Sequence, residues 1–321
     1  MDNFKYIYGP IPSRRLGLSL GVSPIPKKFC NYSCIYCQIG VTHNLTNTRR
    51  EFFPLEDIIN EFKRYISSDK NFDVVSIVGE GEPTLYSKLG ELIISLKKLT
   101  DKPIAVITNT GLLYDKNVQE ELLNADIVLP SMDFFSQESF KALHRPYGRL
   151  DFQKSYNGLV EFSKKFKGEL WLEVMLIEDI NSSKEDLLKL KELIKNINYS
   201  KIYINTAVRP PAESWVKPAS KETIDFAVEL LDGISIDNLS DGNFISEIKD
   251  NYESGYYSLK VLPEEGQVIE VYFDMPVRYI QGHARIEETV NQVAIERGPL
   301  VYCMENPDVD LDTLDDLMFD L

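Results

Sequence analysis

The first 232 residues predict an α/β fold built on a parallel sheet, and two observations carry that prediction. Strand-like apolar runs alternate with segments whose apolar residues recur at helical spacing, and strands alternating with helices imply parallel pairing. Polar residues also gather where the predicted strands end, which is where chemistry sits in barrels and open α/β sheets. A third observation sets the remainder apart. Past about residue 235 the pattern changes to short runs of period 2, the mark of an antiparallel β-module.

The elements follow in order. An early strand is expected near Leu18–Val22. VVSIVG (Val74–Gly79) reads as a buried strand, and SKLGELIISLKKL (Ser87–Leu99) as the helix after it, with Ser87 as N-cap. PIAVIT (Pro103–Thr108) precedes the helix DKNVQEELLN (Asp115–Asn124), and DIVLPS (Asp126–Ser131) precedes SQESFKAL (Ser136–Leu143). LWLEVMLI (Leu170–Ile177) leads to SSKEDLLKLKELIKN (Ser182–Asn196), and KIYINT (Lys201–Thr206) to SKETIDFAVELL (Ser220–Leu231). About six βα units result, a series that fits a doubly wound sheet and a partial barrel equally.

Several strand ends carry unusual polar residues. Glu80 and Glu82 follow the Val74 strand, Asn109 the Ile104 strand, Ser131 and Asp133 the Ile127 strand, and Asn205 and Thr206 close the last. In GEGEP, Gly79 and Gly81 let backbone approach a ligand closely, Pro83 stiffens the turn, and a carboxylate suits a cationic amine. Glu82 equally suits the start of the following helix, and Asn109 and Asp133 are common turn formers. Asn109 and Ser131 are candidate ribose or carboxylate contacts. Glu173 lies mid-strand, where a carboxylate is costly unless paired or facing a lumen. Arg14, Arg15 and Arg209 suit a carboxylate or phosphate by bidentate bonding, or else form surface ion pairs of little worth. His144 and Arg145 are similar candidates.

Cys30, Cys34 and Cys37 are spaced C-x3-C-x2-C in KKFCNYSCIYCQIG. Three thiolates this close can hold three irons of a [4Fe–4S] cluster and leave the fourth open to a small molecule. An odd count in one short loop argues against disulfides. Zinc usually takes four ligands with C-x2-C pairs, and the nearest histidine is His43. The remaining cysteine, Cys303, is far along the chain.

With 321 residues the chain has room for one or two domains. A hydrophobic content of 43% and a charged content of 26% are ordinary for a globular protein. No run of about 20 apolar residues exists, so no membrane span is expected. The N-terminus MDNFKYIYGPIPSRR lacks a signal-peptide core, and the reducing cytoplasm is the expected compartment. The net charge of −15 is uneven: Ile236–Leu321 holds 5 Lys+Arg against 19 Asp+Glu, leaving 30 and 31 of the total 35 and 50 before it. That step places a boundary near 235, giving domains 1–235 and 236–321. The near-neutral first domain gives nucleic-acid binding no electrostatic support.

The cysteine spacing, with Tyr36 just before the last cysteine, resembles the radical S-adenosylmethionine (SAM) superfamily. GPIPSRRLGLSLGV (Gly9–Val22), VGEGEPTL (Val78–Leu85) and VRPPAESWV (Val208–Val216) look like a subgroup related to wyosine-synthesis enzymes. The resemblance implies a (βα)6 partial TIM-type barrel, with a [4Fe–4S] cluster on Cys30, Cys34 and Cys37 and SAM as cofactors. It implies that one electron splits SAM into methionine and a 5′-deoxyadenosyl radical, which abstracts hydrogen from a substrate. It also implies that the GEGEP motif, with Glu82 and the backbone beside it, binds the SAM amino group; with the strand-end candidates Asn109, Ser131 and Asp133, the residues Tyr36, Gly79, Gly81, Glu82 and Pro83 make up the expected cofactor site. A reductant such as flavodoxin or ferredoxin is the expected partner. The substrate is left open, with a tRNA base or a small metabolite suggested by kinship.

YYSLKVL (Tyr256–Leu262) and VIEVYFDM (Val268–Met275) flank the turn PEEG (Pro263–Gly266) as a hairpin, and VRYIQGH, QVAIERG and PLVYCM continue as short strands. Met275–Asp308 resembles the β-sandwich of the β-L-arabinofuranosidase glycoside hydrolases, which implies an incomplete β-sandwich here. In RGPLVYC-x-E that family places a zinc-bound nucleophile, here Cys303, and a thiolate is the reactive form. Such a hydrolase, and a non-catalytic Fe–S or SAM-binding protein, are the alternative readings.

Overall fold

The computed structural model describes residues 4–67, 71–148, 150–236, 277–281, 293–297 and 300–304. The chain divides into two compact units, Met1–Lys260 and Val261–Leu321.

The first unit is built on one sheet of eight strands. β1 (Ile7–Ser13) runs antiparallel to β2 (Gly17–Val22). From β2 onward the neighbours are parallel: β5 (Val74–Ile77), β6 (Ile104–Thr108), β7 (Ile127–Pro130), β8 (Glu169–Leu176), β9 (Lys201–Thr206) and the short edge β10 (Ile234–Ser235). Two-residue β3 (Phe29–Cys30) and β4 (Asn44–Leu45) pair separately. Each of the six strands from β2 to β9 is followed by helix: α1 (Leu55–Ile66), α2 (Leu89–Lys97), α3 (Lys116–Leu122), α4 and α5 (Gln137–His144 and Phe152–Lys165), α6 (Lys184–Ile194) and α7 (Lys221–Leu231). Strand order follows chain order with no reversal. A doubly wound sheet reverses at a switch point, so the winding is that of the expected partial barrel.

Alternation along the strands divides the core. Val75, Ile77, Val106, Val128, Leu172 and Ile204 pack toward the helices in the larger cluster. Val74, Ala105, Ile127, Leu129, Trp171 and Tyr203 point the other way and form a second cluster inside the curve of the sheet. Each large apolar side chain so buried contributes about 1.5–3 kcal/mol.

Helix starts follow local chemistry. Asp115, Ser136, Asp151, Ser183 and Ser220 each accept a backbone N–H of the first turn of their helix. Ser87 is not the cap of α2. That position falls to Lys88 without a side-chain bond, and the Ser87 N–H donates to the Arg50 carbonyl at 3.0 Å beside the Arg50–Tyr86 bridge. Six elements had no counterpart among those expected from the sequence: β1, β3, β4, α1, α5 and β10. Glu61 of α1, 5% exposed, ties α1 to β1 by accepting from the N–H groups of Tyr6 and Ile7.

In the second unit, β11 (Val277–Gln281), β12 (Val293–Arg297) and β13 (Leu300–Met304) form an antiparallel sheet in that order. These are the three strands expected from VRYIQGH, QVAIERG and PLVYCM. Cys303 stands opposite Ala294 in the register. The hairpin expected around PEEG lies outside the described residues.

Candidate active site

The three cysteines sit on one loop above the carboxyl ends of the barrel strands. Cys30 ends β3, and the β3–β4 pairing closes the loop at its base. Inside it the Cys37 N–H donates to Cys34 O at 3.2 Å, and the Gly40 N–H to Cys37 O at 3.0 Å. The end of α4 fastens the middle, with Ser33 N donating to His144 O and Ile35 N to Leu143 O at 2.8 and 2.9 Å.

The glycine-rich loop after β5 lies directly against this one. Lys28 N donates to Glu80 O at 2.7 Å and Glu82 N to Phe29 O at 3.1 Å. A Cβ at Gly81 would stand 1.8 Å from the Phe29 carbonyl oxygen, so only glycine fits there.

All three cysteines are free and half-buried. Burial pushes the Cys30 thiol up to about 12, and Glu82 and Cys37 add to the effect. Cys34 is raised by burial first and then by Cys30 and Cys37, and Cys37 is raised by burial against the opposing pull of nearby N–H groups and Lys28. Thiols raised by burial become thiolates when a strongly cationic metal ligates them. Three free cysteines on one loop are a donor set that fits three irons of a cluster.

Glu82 is 2% exposed and its carboxylate is fully engaged. It accepts from Thr84 N (3.0 Å), Thr84 Oγ1 (2.6 Å), Thr108 Oγ1 (2.6 Å) and Asn109 N (2.8 Å). It caps the short 3₁₀ turn Pro83–Leu85, in which Pro83 takes the first position. This carboxylate, the one expected to meet a ligand amine, is turned to Thr84, Thr108 and Asn109. Asn109 is both turn former and cysteine neighbour: Oδ1 accepts from Gly111 N at 2.9 Å, and Nδ2 reaches Asn31 Oδ1 at 2.7 Å and Cys30 Sγ at 3.4 Å. Ser131 pairs with Glu173 in an isolated bridge, and its carbonyl accepts from the Thr110 hydroxyl at 2.6 Å. Asp133 is wholly buried, taking the Tyr36 hydroxyl at 2.7 Å on Oδ2 and meeting His144 Nε2 at 2.8 Å with Oδ1. It too faces inward.

A cavity of about 400 Å³ opens inside the curve of the sheet. Tyr36, Cys37, Gln38 and Ile39 of the cysteine loop line one part of it, with Gly79. Concave-face residues Ser19, Ser76, Glu173 and Asn205 line the wall, together with Arg14, Arg15 and Arg209. Of the residues expected around a cofactor, Tyr36 and Gly79 line this cavity, whereas Gly81, Glu82, Pro83, Asn109, Ser131 and Asp133 are not among its lining residues. Glu173 is both paired and lumen-facing: it holds an ion pair with Arg15 and accepts from Asn205 Nδ2 at 2.9 Å. Burial, then Arg14, lowers Arg15 to about 10. Arg209 Nη1 donates to Gln38 Oε1 at 2.8 Å, tying the segment after β9 to the cysteine loop.

His144, grouped with Arg145 as a substrate-side candidate, is buried and turned to the cysteines: Nδ1 stands 3.2 Å from Cys34 Sγ. Arg145 pairs with Glu213 at the rim. Asn31 and Asn181 went unnoticed in the sequence. Asn181 fastens the Asp133 carbonyl at 2.9 Å and the Met175 carbonyl at 2.8 Å, duties that no periodicity announces.

Residues 25–191 match the family model described as the radical SAM superfamily. The chain belongs to that superfamily. Its cofactors are a [4Fe–4S] cluster and SAM. This radical SAM chain is 39% identical over 219 residues to a UPF0026 protein of Methanocaldococcus jannaschii, covering 68% of each, and belongs with it. It is 41% identical over 223 residues to a Brachyspira hyodysenteriae protein named GTPase Obg, covering 70% of this chain but 33% of that protein. Among solved structures, a radical SAM methyltransferase from Sphaerobacter thermophilus aligns at 15% identity and a TM-score of 0.48, over 68% of this chain and 65% of that one. Residues 277–320 match the C-terminal domain of glycoside hydrolase family 127. No helix among the described residues is long and apolar enough to cross a membrane.

Proposed function

We propose that the chain is a radical SAM enzyme in which Cys30, Cys34 and Cys37 hold three irons of the cluster and SAM occupies the cavity beside Cys37. The observation that supports this reading most is the placement of the cysteine loop. Cys37 and Tyr36 line a cavity at the carboxyl ends of parallel strands, with the Gly79–Pro83 loop packed against them. A cluster held there by Cys30, Cys34 and Cys37 would supply the one electron that splits SAM into methionine and a 5′-deoxyadenosyl radical able to take hydrogen from a substrate.

The chain's own residues do the rest. The loop around Gly79 and Gly81 brings backbone close to the ligand, and Glu82 keeps that loop rigid from behind. The wall formed by Glu173, Asn205 and the arginines receives the substrate. We place the wyosine-type subgroup, the reductant (flavodoxin or ferredoxin) and the division into a catalytic domain 1–235 and an acidic appendage 236–321 within the same reading.

The test is anaerobic reconstitution with iron and sulfide, then dithionite and SAM, with 5′-deoxyadenosine as the readout and Cys34→Ala as control. Nucleoside from the wild type alone supports the proposal. A cluster that binds SAM without cleaving it favours the non-catalytic reading, and absence of any cluster overturns both.

A further inference from the structure

We propose that His144 is a positioning residue for the Cys34 ligand, holding its sulfur through Nδ1 and drawing electron density from the cluster at that corner. The inference rests on the reading of Cys34 as a cluster ligand given above.

The geometry is that of a buried relay. Cys34 Sγ lies 3.2 Å from Nδ1, while Nε2 on the far side of the ring meets Asp133 Oδ1 at 2.8 Å. Asp133 is itself held in place. Tyr36 donates its hydroxyl to Oδ2 at 2.7 Å, and Asn181 Nδ2 donates to the Asp133 carbonyl at 2.9 Å. Both His144 and Asp133 are 0% exposed. Tyr32, Phe134 and Phe140 surround the imidazole at centroid distances of 5.0, 5.3 and 5.6 Å, so the ring has one orientation. The backbone of the same helix end accepts the N–H groups of Ser33 and Ile35, on either side of Cys34.

A histidine with a packing duty alone would be satisfied by Asp133. Here its second nitrogen is aimed at a cysteine. A metal-bound thiolate can only accept, so Nδ1 is the nitrogen that donates to it in the loaded protein, with Nε2 held at Asp133 on the far side of the ring. Hydrogen bonds to ligand sulfur favour the more negative, reduced cluster and raise its potential.

The test compares His144→Asn with His144→Gln in EPR-monitored redox titrations at one pH, with iron content and thermal midpoint read beside them. The Asn amide nitrogen falls near the position of Nδ1, the Gln amide near Nε2. We expect His144→Asn to keep a potential close to wild type and His144→Gln to keep its cluster at a lower potential. Equal potentials in all three proteins overturn the proposal. A wild type that holds no cluster sinks the underlying reading instead. Because both variants could fail to load, a second measurement uses the wild type alone. The chain has 3 histidines. Labelling them with 15N and recording pulsed EPR on the reduced cluster should give a 15N coupling that persists in His43→Ala; no coupling overturns the proposal.

Discussion

Glu82, at the end of the loop after β5, accepts the hydroxyl of Thr108, the last residue of β6, at 2.6 Å. One carboxylate thereby joins two adjacent strand ends and the turn between them. Burial raises the Glu82 carboxyl above its ordinary 4.5, and its hydrogen bonds only partly offset this. Glu82→Gln sets an amide N–H₂ against obligate N–H donors and should cost about 1–3 kcal/mol. The pH dependence has a definite sign. A folded-state value raised above the unfolded one contributes stability that is present below about 4.5 and lost as pH rises through the raised value. The gap in thermal midpoint between wild type and Glu82→Gln should therefore narrow from about pH 4.5 toward neutrality. A gap that widens over that range contradicts the assignment.

Arg15 and Glu173 form an ion pair with side chains 18% and 14% exposed. Removing one partner leaves the other charge in the cavity wall, and a loss of roughly 3 kcal/mol is expected for Arg15→Ala. Replacing both with Met restores packing without either charge and should recover most of it. Urea unfolding of the single and double variants measures the difference. Additive losses would mean that the two side chains do not act as a pair.

Six parallel strands and the helices α2, α3, α4, α6 and α7 were legible because buried parallel strands and amphipathic helices both leave strong periodic signals. β1 was hidden by Pro10 and Pro12, which suit an edge strand but break the usual pattern. α5 was hidden by Gly158 in mid-helix, a residue forced by packing: a Cβ there would stand 2.4 Å from the Tyr114 backbone nitrogen. At the site, the cysteine loop was legible from spacing alone. The inward turn of Glu82 and Asp133 was not. Whether a strand-end carboxylate faces a ligand or its neighbours depends on partners 26 and 11 residues away, Thr108 and His144, and local sequence does not reveal those pairings.

Gly81→Ala places a methyl group against the Phe29 carbonyl, one residue before Cys30. Backbone must move to admit it, at a cost of about 1–3 kcal/mol or more. Because that backbone carries Cys30, iron per chain after reconstitution should fall more steeply than the thermal midpoint of the unloaded protein. An Ala variant that loads iron like wild type would show that the two loops are not coupled.

Cys303 lies on β13 opposite Ala294, in the unit that matches the glycoside hydrolase domain, whereas the three clustered cysteines belong to the other unit. Cys303→Ser is therefore expected to leave iron and sulfide content and 5′-deoxyadenosine formation unchanged. Cys30→Ser, Cys34→Ser and Cys37→Ser should each lose most of the cluster, since every one removes a thiolate from a three-thiolate set. Zinc analysis of the same preparations completes the comparison. Zinc bound by wild type and absent from Cys303→Ser would give the second unit a metal site of its own and revive the hydrolase reading. Iron lost from Cys303→Ser would instead make the fourth cysteine part of the cluster, leaving no open iron for SAM.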